Sequence, residues 1–204
     1  MTQRERRRLD TIAPAAPTST EVIVERWRDN VVERVVDRVA EEAPIALTYH
    51  GISHVVMLAT PNDLEDLAAG FTLTEGIVSH PSEIRSLEAR TLEDGTHEVR
   101  IGIPAERFAD LLRRQRNISG RTGCGLCGAA TIEDAIRTPP PVTSDLSLTA
   151  AELHAALREI GEHQHINRLT GSVHAAAWVV PGEGIRLVRE DVGRHNALDK
   201  VIGA

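Results

Sequence analysis

Both cysteines of the 204-residue chain lie in one short segment, RTGCGLCGAATIEDA, from Arg121 to Ala135. Cys124 and Cys127 are separated by two residues and bracketed by Gly123, Gly125 and Gly128. Several chemistries share this spacing. A zinc knuckle uses a Cys-x-x-Cys turn followed by glycine, but structural zinc needs four ligands, and with no second cysteine pair two histidines would have to complete the site. His163 and His165, two of nine histidines, are the nearest candidates. A thioredoxin-like dithiol places the pair at a helix start directly after a strand, whereas the residues before Arg121 read as helix and loop. Two incidental small apolar residues would not need three glycines, which favour a mobile, exposed loop. A sulfur carrier needs a reachable thiolate on such a segment. Arg121 and the positive end of a following helix favour the thiolate, while Glu133 and Asp134 partly oppose it. A second thiol can displace or receive the sulfur by exchange.

Two further segments hold candidate polar groups. His174, in TGSVHAAA, invites comparison with zinc deaminases, whose signature is His-x-Glu followed by Pro-Cys-x-x-Cys. Position 176 is alanine and the cysteines precede the histidine, so hydrolytic deamination is not expected. The plain alternative is a hydrogen-bonded packing histidine beside a strand. EDVGRHNALDK, from Glu190 to Lys200, lies between a strand end and a helix start, where α/β folds gather ligand groups. Gly193 permits close backbone approach, and Arg194, His195 and Asn196 offer donors to an anionic or nucleotide ligand. A capped helix with surface charges is the simpler reading of the same residues.

The elements that must position these groups follow from pattern. Residues 21–40 carry Val32, Val35, Val36 and Val39 at helical spacing, yet their β-branching favours strands. Pro44 to Thr60 reads as two strands joined at His50-Gly51. A helix follows, with Thr60 as cap, Pro61 in the first turn, Asp63 at the positive end, Leu64, Leu67, Ala68 and Phe71 inward, and Gly76 as its stop. His97 to Ile103 reads as a strand. Pro104 to Asn117 reads as a helix burying Phe108, Leu111 and Leu112, with Arg113, Arg114 and Arg116 at its negative end. After the cysteine segment comes a short helix over Ala129 to Ile136, stopped by Pro139, Pro140 and Pro141. Thr149 and Glu152 form a capping box for a helix with Leu153, Leu157 and Ile160 as its buried stripe. The polar stretch from Gly161 leads to a hairpin of Ala175 to Val180 and Ile185 to Glu190 across a PGEG turn. A final helix presents Leu198, Val201 and Ile202 on one face. It is read as ending after little more than two turns with no cap and no packing partner, in a chain truncated at its C-terminus.

Composition limits the partners. A hydrophobic fraction of 41% with 26% charged residues is a soluble globular balance. The net charge of −7 and an aromatic content of 2% argue against nucleic acid, which needs basic surface and stacking platforms. The basic cluster at Arg4, Arg6, Arg7 and Arg8 reads as a solvated tail. No signal peptide and no membrane span is recognisable, so the protein is expected in the cytoplasm, where thiols stay reduced. Lys200 is the only lysine among 23 basic residues, an imbalance attributed to genome composition.

Taken together, TGCGLCGAATIEDA, TGSVHAAA and EDVGRHNALDKVIG resemble the formate dehydrogenase accessory sulfurtransferases, the FdhD family. PIALTYHGISHVVMLATPNDLEDLAAGFTLTEGIV resembles that family's N-terminal half, and the likeness runs from about Glu41 to Ala204, with Ser172 in place of a common glycine. The resemblance implies a sulfurtransferase with a cysteine persulfide intermediate. A cysteine desulfurase would load Cys124, with Cys127 as partner, and the sulfur would pass to bis-molybdopterin guanine dinucleotide, required by formate dehydrogenase. It further implies a homodimer, no structural metal, and His174, Gly193, Arg194, His195 and Asn196 as cofactor-binding residues. The implied fold is α/β (α+β), a cytidine-deaminase-like core with an N-terminal β-rich subdomain and the C-terminal part of the core missing. The chain divides into a disordered tail (1–20), an N-terminal α+β subdomain (21–120), a mobile Cys-x-x-Cys loop, short helix and Pro-rich linker (121–143), and an incomplete deaminase-like subdomain (144–204). Two other functions stay open: a non-catalytic molybdenum-cofactor-binding chaperone, and a zinc-stabilised structural module.

Overall fold

The computed structural model describes residues 17–92, 94–118 and 141–204, with residues 114–118 described by their backbone alone. Cys124, Cys127, the expected helix over 129–136, Pro139 and Pro140 therefore lie outside the described residues.

The β-branched stretch forms strands. β1 (Ser19–Arg28) and β2 (Val31–Ala40) make an antiparallel ribbon, turned by Asp29 and Asn30, both at positive φ (50° and 61°). Two successive positive φ values match the right-handed twist of the strands they join. β1 begins two residues inside the segment read as tail. The next hairpin uses the same device. β3 (Ala43–Tyr49) and β4 (Ile52–Ala59) are joined by His50 and Gly51 at φ 50° and 80°. β5 (Ser86–Thr91) and β6 (His97–Gly102) complete a mixed sheet in the order β4-β3-β6-β5, in which only β3 and β6 run parallel.

The core lies on one face of this sheet. Ile45, Leu47 and Tyr49 of β3 alternate inward, as do Val99 and Ile101 of β6, and they meet Leu67 and Ala68 of helix α1 (Leu64–Thr74). Helix α2 (Ala105–Ile118) adds Leu111, with Phe108 packed at the margin. At 0–2% exposure each of those strand residues is fully removed from water, on the order of 2 kcal/mol apiece. The hydroxyl of Tyr49, the largest buried side chain, meets Thr72 Oγ1 at 2.8 Å, so its polar tip is satisfied.

Helix α3 (Ala150–His163) starts at the expected capping box: Glu152 N donates to Thr149 Oγ1 (3.2 Å) and Thr149 N to Glu152 Oε2 (2.8 Å). Its expected buried stripe is not buried. Leu153 and Leu157 are exposed, and no residue of the helix is fully buried. Helix α4 (His165–Thr170) forms within a stretch read only as polar. β7 (His174–Val180) and β8 (Gly184–Asp191) make the expected hairpin, and helix α5 (Arg194–Gly203) follows.

Helix α5 corrects two expectations. It has a partner, because it crosses α1 at backbone contact. A methyl group added at Gly70 would lie 1.8 Å from Asp199 O, and one added at Gly203 would lie 1.9 Å from Asp66 O. Its inward residues are Ala197, Lys200 and Val201, while Leu198 and Ile202 stay exposed. Thr60 does not cap α1 either. The N-cap position is Asp63, without a side-chain cap, and Thr60 serves the C-terminal segment instead.

Candidate functional site

Two segments distant in sequence, residues 60–62 and 190–200, meet around one ion pair. Lys200 Nζ lies 2.8 Å from Asp191 Oδ2, and both side chains are fully buried. A buried charge persists only when paired and hydrogen-bonded. Here the ammonium is also directed at Thr60 O (3.0 Å), Asn62 Oδ1 (3.3 Å) and Glu190 O (3.3 Å). Burial pulls Lys200 below its ordinary pKa, and Asp191 opposes that pull.

Asp191 has other work. Its Oδ2 accepts from Thr60 N (3.0 Å), and its Oδ1 accepts from Gly193 N (2.8 Å) and Asn196 Nδ2 (3.0 Å). Val192 N donates to Thr60 Oγ1 at 3.1 Å. The result is a clasp between the β4–α1 junction and the β8–α5 junction. Beside it, Arg189 binds Asp66 of α1 (Nε to Oδ2, 2.8 Å). The Glu190 carboxylate accepts from Ile166 N (2.9 Å) and Asn167 N (2.8 Å), satisfying two N–H groups of the first turn of α4.

The clasp separates the expected binding residues into two groups. Asn196 has both amide protons engaged, one by Asp191 and one by Leu58 O (2.9 Å), so it has no donor left for a ligand. Gly193 makes room for that amide, since a methyl group there would lie 2.9 Å from Asn196 Nδ2. Arg194 and His195, the first two residues of α5, are exposed. His174 is also exposed, and as the first residue of β7 it pairs in register with Asp191, the last of β8. His174 thus sits at the same end of the hairpin as the uncapped start of α5. Exposed basic side chains beside a helix N-terminus are suited to an anionic group.

Among the described residues, no cluster of three or more His, Cys, Asp or Glu side chains is placed to hold a metal ion. His163 faces Glu159 at 3.7 Å, and His165 Nδ1 accepts from Arg168 (2.5 Å). No helix among the described residues is long and apolar enough to cross a membrane.

Sequence reasoning missed Thr60, Asp191 and Lys200 as a unit. One signal was present. In a chain that otherwise uses arginine, the sole lysine is the residue whose compact ammonium fills a closed space where a planar guanidinium would need more room.

A mixed α/β chain whose last strand and helix are clasped onto an N-terminal sheet defines the fold class. A crystal structure from Desulfotalea psychrophila, described as a formate dehydrogenase accessory protein, shares that fold with a TM-score of 0.62 and 24% identity, covering 92% of this chain and 66% of that one. Residues 40–204 match the FdhD/NarQ family, and the chain belongs to it. It is similar to the sulfur carrier protein FdhD of Cupriavidus necator, at 49% identity over 188 residues, 92% of this chain and 65% of that protein. The sulfur carrier protein FdhD of Xanthomonas campestris pv. campestris (strain B100) is 47% identical over 191 residues, 94% of this chain and 68% of the relative. The chain thus spans 65% of the length of the Cupriavidus relative.

Proposed function

We propose that this chain is a cytoplasmic sulfur carrier for the maturation of formate dehydrogenase. The observation that carries the reading is the near-half identity to sulfur carrier proteins over more than nine-tenths of the chain, in a sequence that keeps both its cysteines in one glycine-bracketed segment. Cys124 accepts sulfur as its thiolate attacks the terminal sulfur of a desulfurase persulfide and the donor thiolate leaves. Cys127 serves as the neighbouring thiol. The acceptor is bis-molybdopterin guanine dinucleotide, here a substrate, whose phosphates suit Arg194, His195 and His174. Gly193 and Asn196, first read as contacts, act by holding the start of α5 in place. A homodimer and a deaminase-like core belong to the same reading.

Incubation with a cysteine desulfurase and cysteine, followed by peptide mass spectrometry, is the test. The expected result is one added sulfur on Cys124, absent from Cys124→Ala. No sulfur on the wild-type protein, or equal loading of Cys124→Ala, refutes it. The exposed group of Arg194, His195 and His174 also fits a cofactor-binding chaperone. Formate dehydrogenase activation that survives loss of both cysteines selects that reading instead.

A further inference from the structure

The β1–β2 ribbon carries a face that nothing in the proposed sulfur chemistry uses. The register Glu21↔Arg38, Ile23↔Val36, Glu25↔Arg34 and Trp27↔Val32 puts these eight side chains on one side. The apolar four are open to solvent: Ile23 is 77% exposed, Trp27 72%, Val36 68% and Val32 45%. The opposite side differs, for Val22, Val24 and Val35 are half-buried, and helix α4 packs against the ribbon.

The charges on the open face are sorted by strand. β1 contributes only Glu21 and Glu25, and β2 only Arg34 and Arg38, in cross-strand pairs of 2.6 and 3.4 Å. An acidic row therefore runs beside a basic row, with the apolar pairs between them.

We infer that this face docks a second copy of the same chain. Two such faces stacked about 10 Å apart can be related by a two-fold axis along the strands or across them. An axis across the strands places acidic row over acidic row. An axis along the strands places β1 of one copy over β2 of the other, so each acidic row meets a basic row, Ile23 meets Val36 and Trp27 meets Val32. Only a partner with the mirrored charge order satisfies the face, and the chain itself is one. The four apolar side chains offer roughly 500 Å², at the upper end of what a monomer exposes in one patch. The four charged side chains bring the area to roughly 1,000 Å² per copy, above the ~800 Å² of a standard interface. This assigns a surface to the proposed homodimer and does not depend on sulfur transfer.

Sedimentation equilibrium of the full chain tests it. The wild type is expected to dimerise, and Val36→Lys, at an already exposed position, to weaken dimerisation at least ~10-fold. The fourfold exchange Glu21→Arg/Glu25→Arg/Arg34→Glu/Arg38→Glu keeps every cross-strand pair and reverses the rows. It is expected to dimerise with itself about the along-strand axis, the same arrangement as the wild type, because its rows are reversed together. A dimer of the exchanged chain weakened as much as that of Val36→Lys, or a Val36→Lys dimer as tight as wild type, overturns the surface assignment while leaving the dimer intact. A wild-type chain that stays monomeric overturns both. Persulfide loading of Cys124, followed in parallel, is expected to be unchanged in these variants.

Discussion

Replacing Asp191 by alanine removes the acceptor on which four donors converge: Lys200 Nζ, Thr60 N, Gly193 N and Asn196 Nδ2. The ammonium of Lys200 keeps only neutral acceptors and stays fully buried. Breaking a buried pair by removing one partner typically costs about 3–5 kcal/mol. The N–H of Thr60, a fully buried residue, is orphaned as well, and a group so stranded costs about 1–3 kcal/mol. These losses share one cavity and do not simply add. We therefore expect about 4 kcal/mol or more, a large part of a typical stability of about 5–15 kcal/mol. Urea unfolding followed by circular dichroism is expected to show a midpoint lowered by about 2 M, for a slope of about 2 kcal/mol per M. The second substitution makes the cause explicit. Asp191→Ala/Lys200→Met removes the stranded charge and is expected to be more stable than Asp191→Ala alone. A loss below about 1 kcal/mol in Asp191→Ala, or no recovery in the double variant, would refute the reasoning.

At the helix crossing, Gly70→Ala and Gly203→Ala each drive a methyl group into backbone and are expected to cost about 2–3 kcal/mol in thermal unfolding. Gly161→Ala, in a helix with open space around it, is expected instead to gain up to about 1 kcal/mol. Burial raises the Asp199 carboxyl above its usual range, with Glu75 adding to the rise and the Thr74 hydroxyl and His195 opposing it. The folded state therefore holds this proton more tightly, and stability falls as pH climbs from the unfolded pKa through the folded one. Asp199→Asn is expected to flatten that fall and to be relatively more stable at neutral pH, as measured by denaturation at a series of pH values upward from the ordinary carboxylate range. Lys200 titrates with the opposite sense. Its folded pKa is lowered, the unfolded chain binds more protons between the two values, and stability is expected to rise with pH across that alkaline window until the unfolded lysine deprotonates.

Local chemistry made much of this fold legible. His50-Gly51, the PGEG turn and the Thr149/Glu152 box each act within a few residues, and each produced the expected turn or helix start. Failures came where the deciding partner was remote. Two orphan N–H groups of helix α4, those of Ile166 and Asn167, find their acceptor in no local residue but in the carboxylate of Glu190 in β8. Thr60 has the side chain of a helix cap, yet Asp191 and Lys200 claim its backbone and Val192 its hydroxyl. The apolar stripe at Leu153 and Leu157 is present as a pattern, but periodicity marks a face without saying that this chain covers it. In α5 the same rule favoured Leu198 and Ile202. The helix instead turned Lys200 inward, because Asp191 awaited it and the glycine crossing fixed the rotation. Of the candidate site, the placement of Arg194 and His195 between a strand end and a helix start was legible, whereas their sharing one end of the hairpin with His174 was not. The internal duties of Gly193 and Asn196 required the tertiary contacts.

The clasp also sets an order of events during synthesis. Thr60 N and its acceptor on Asp191 are 131 residues apart, so a ribosome finishes the mixed sheet and helix α1 well before Lys200 exists. From the end of the sheet at Gly102 to Lys200 is 98 residues, and at about 5–20 residues per second that wait lasts roughly 5–20 s. Throughout it, the inner side of α1 that later receives α5, glycine groove included, lies uncovered. The nascent chain is then a natural client for a holdase, and destabilising the clasp should reduce the yield of protein made in cells before it reduces the activity of protein already folded.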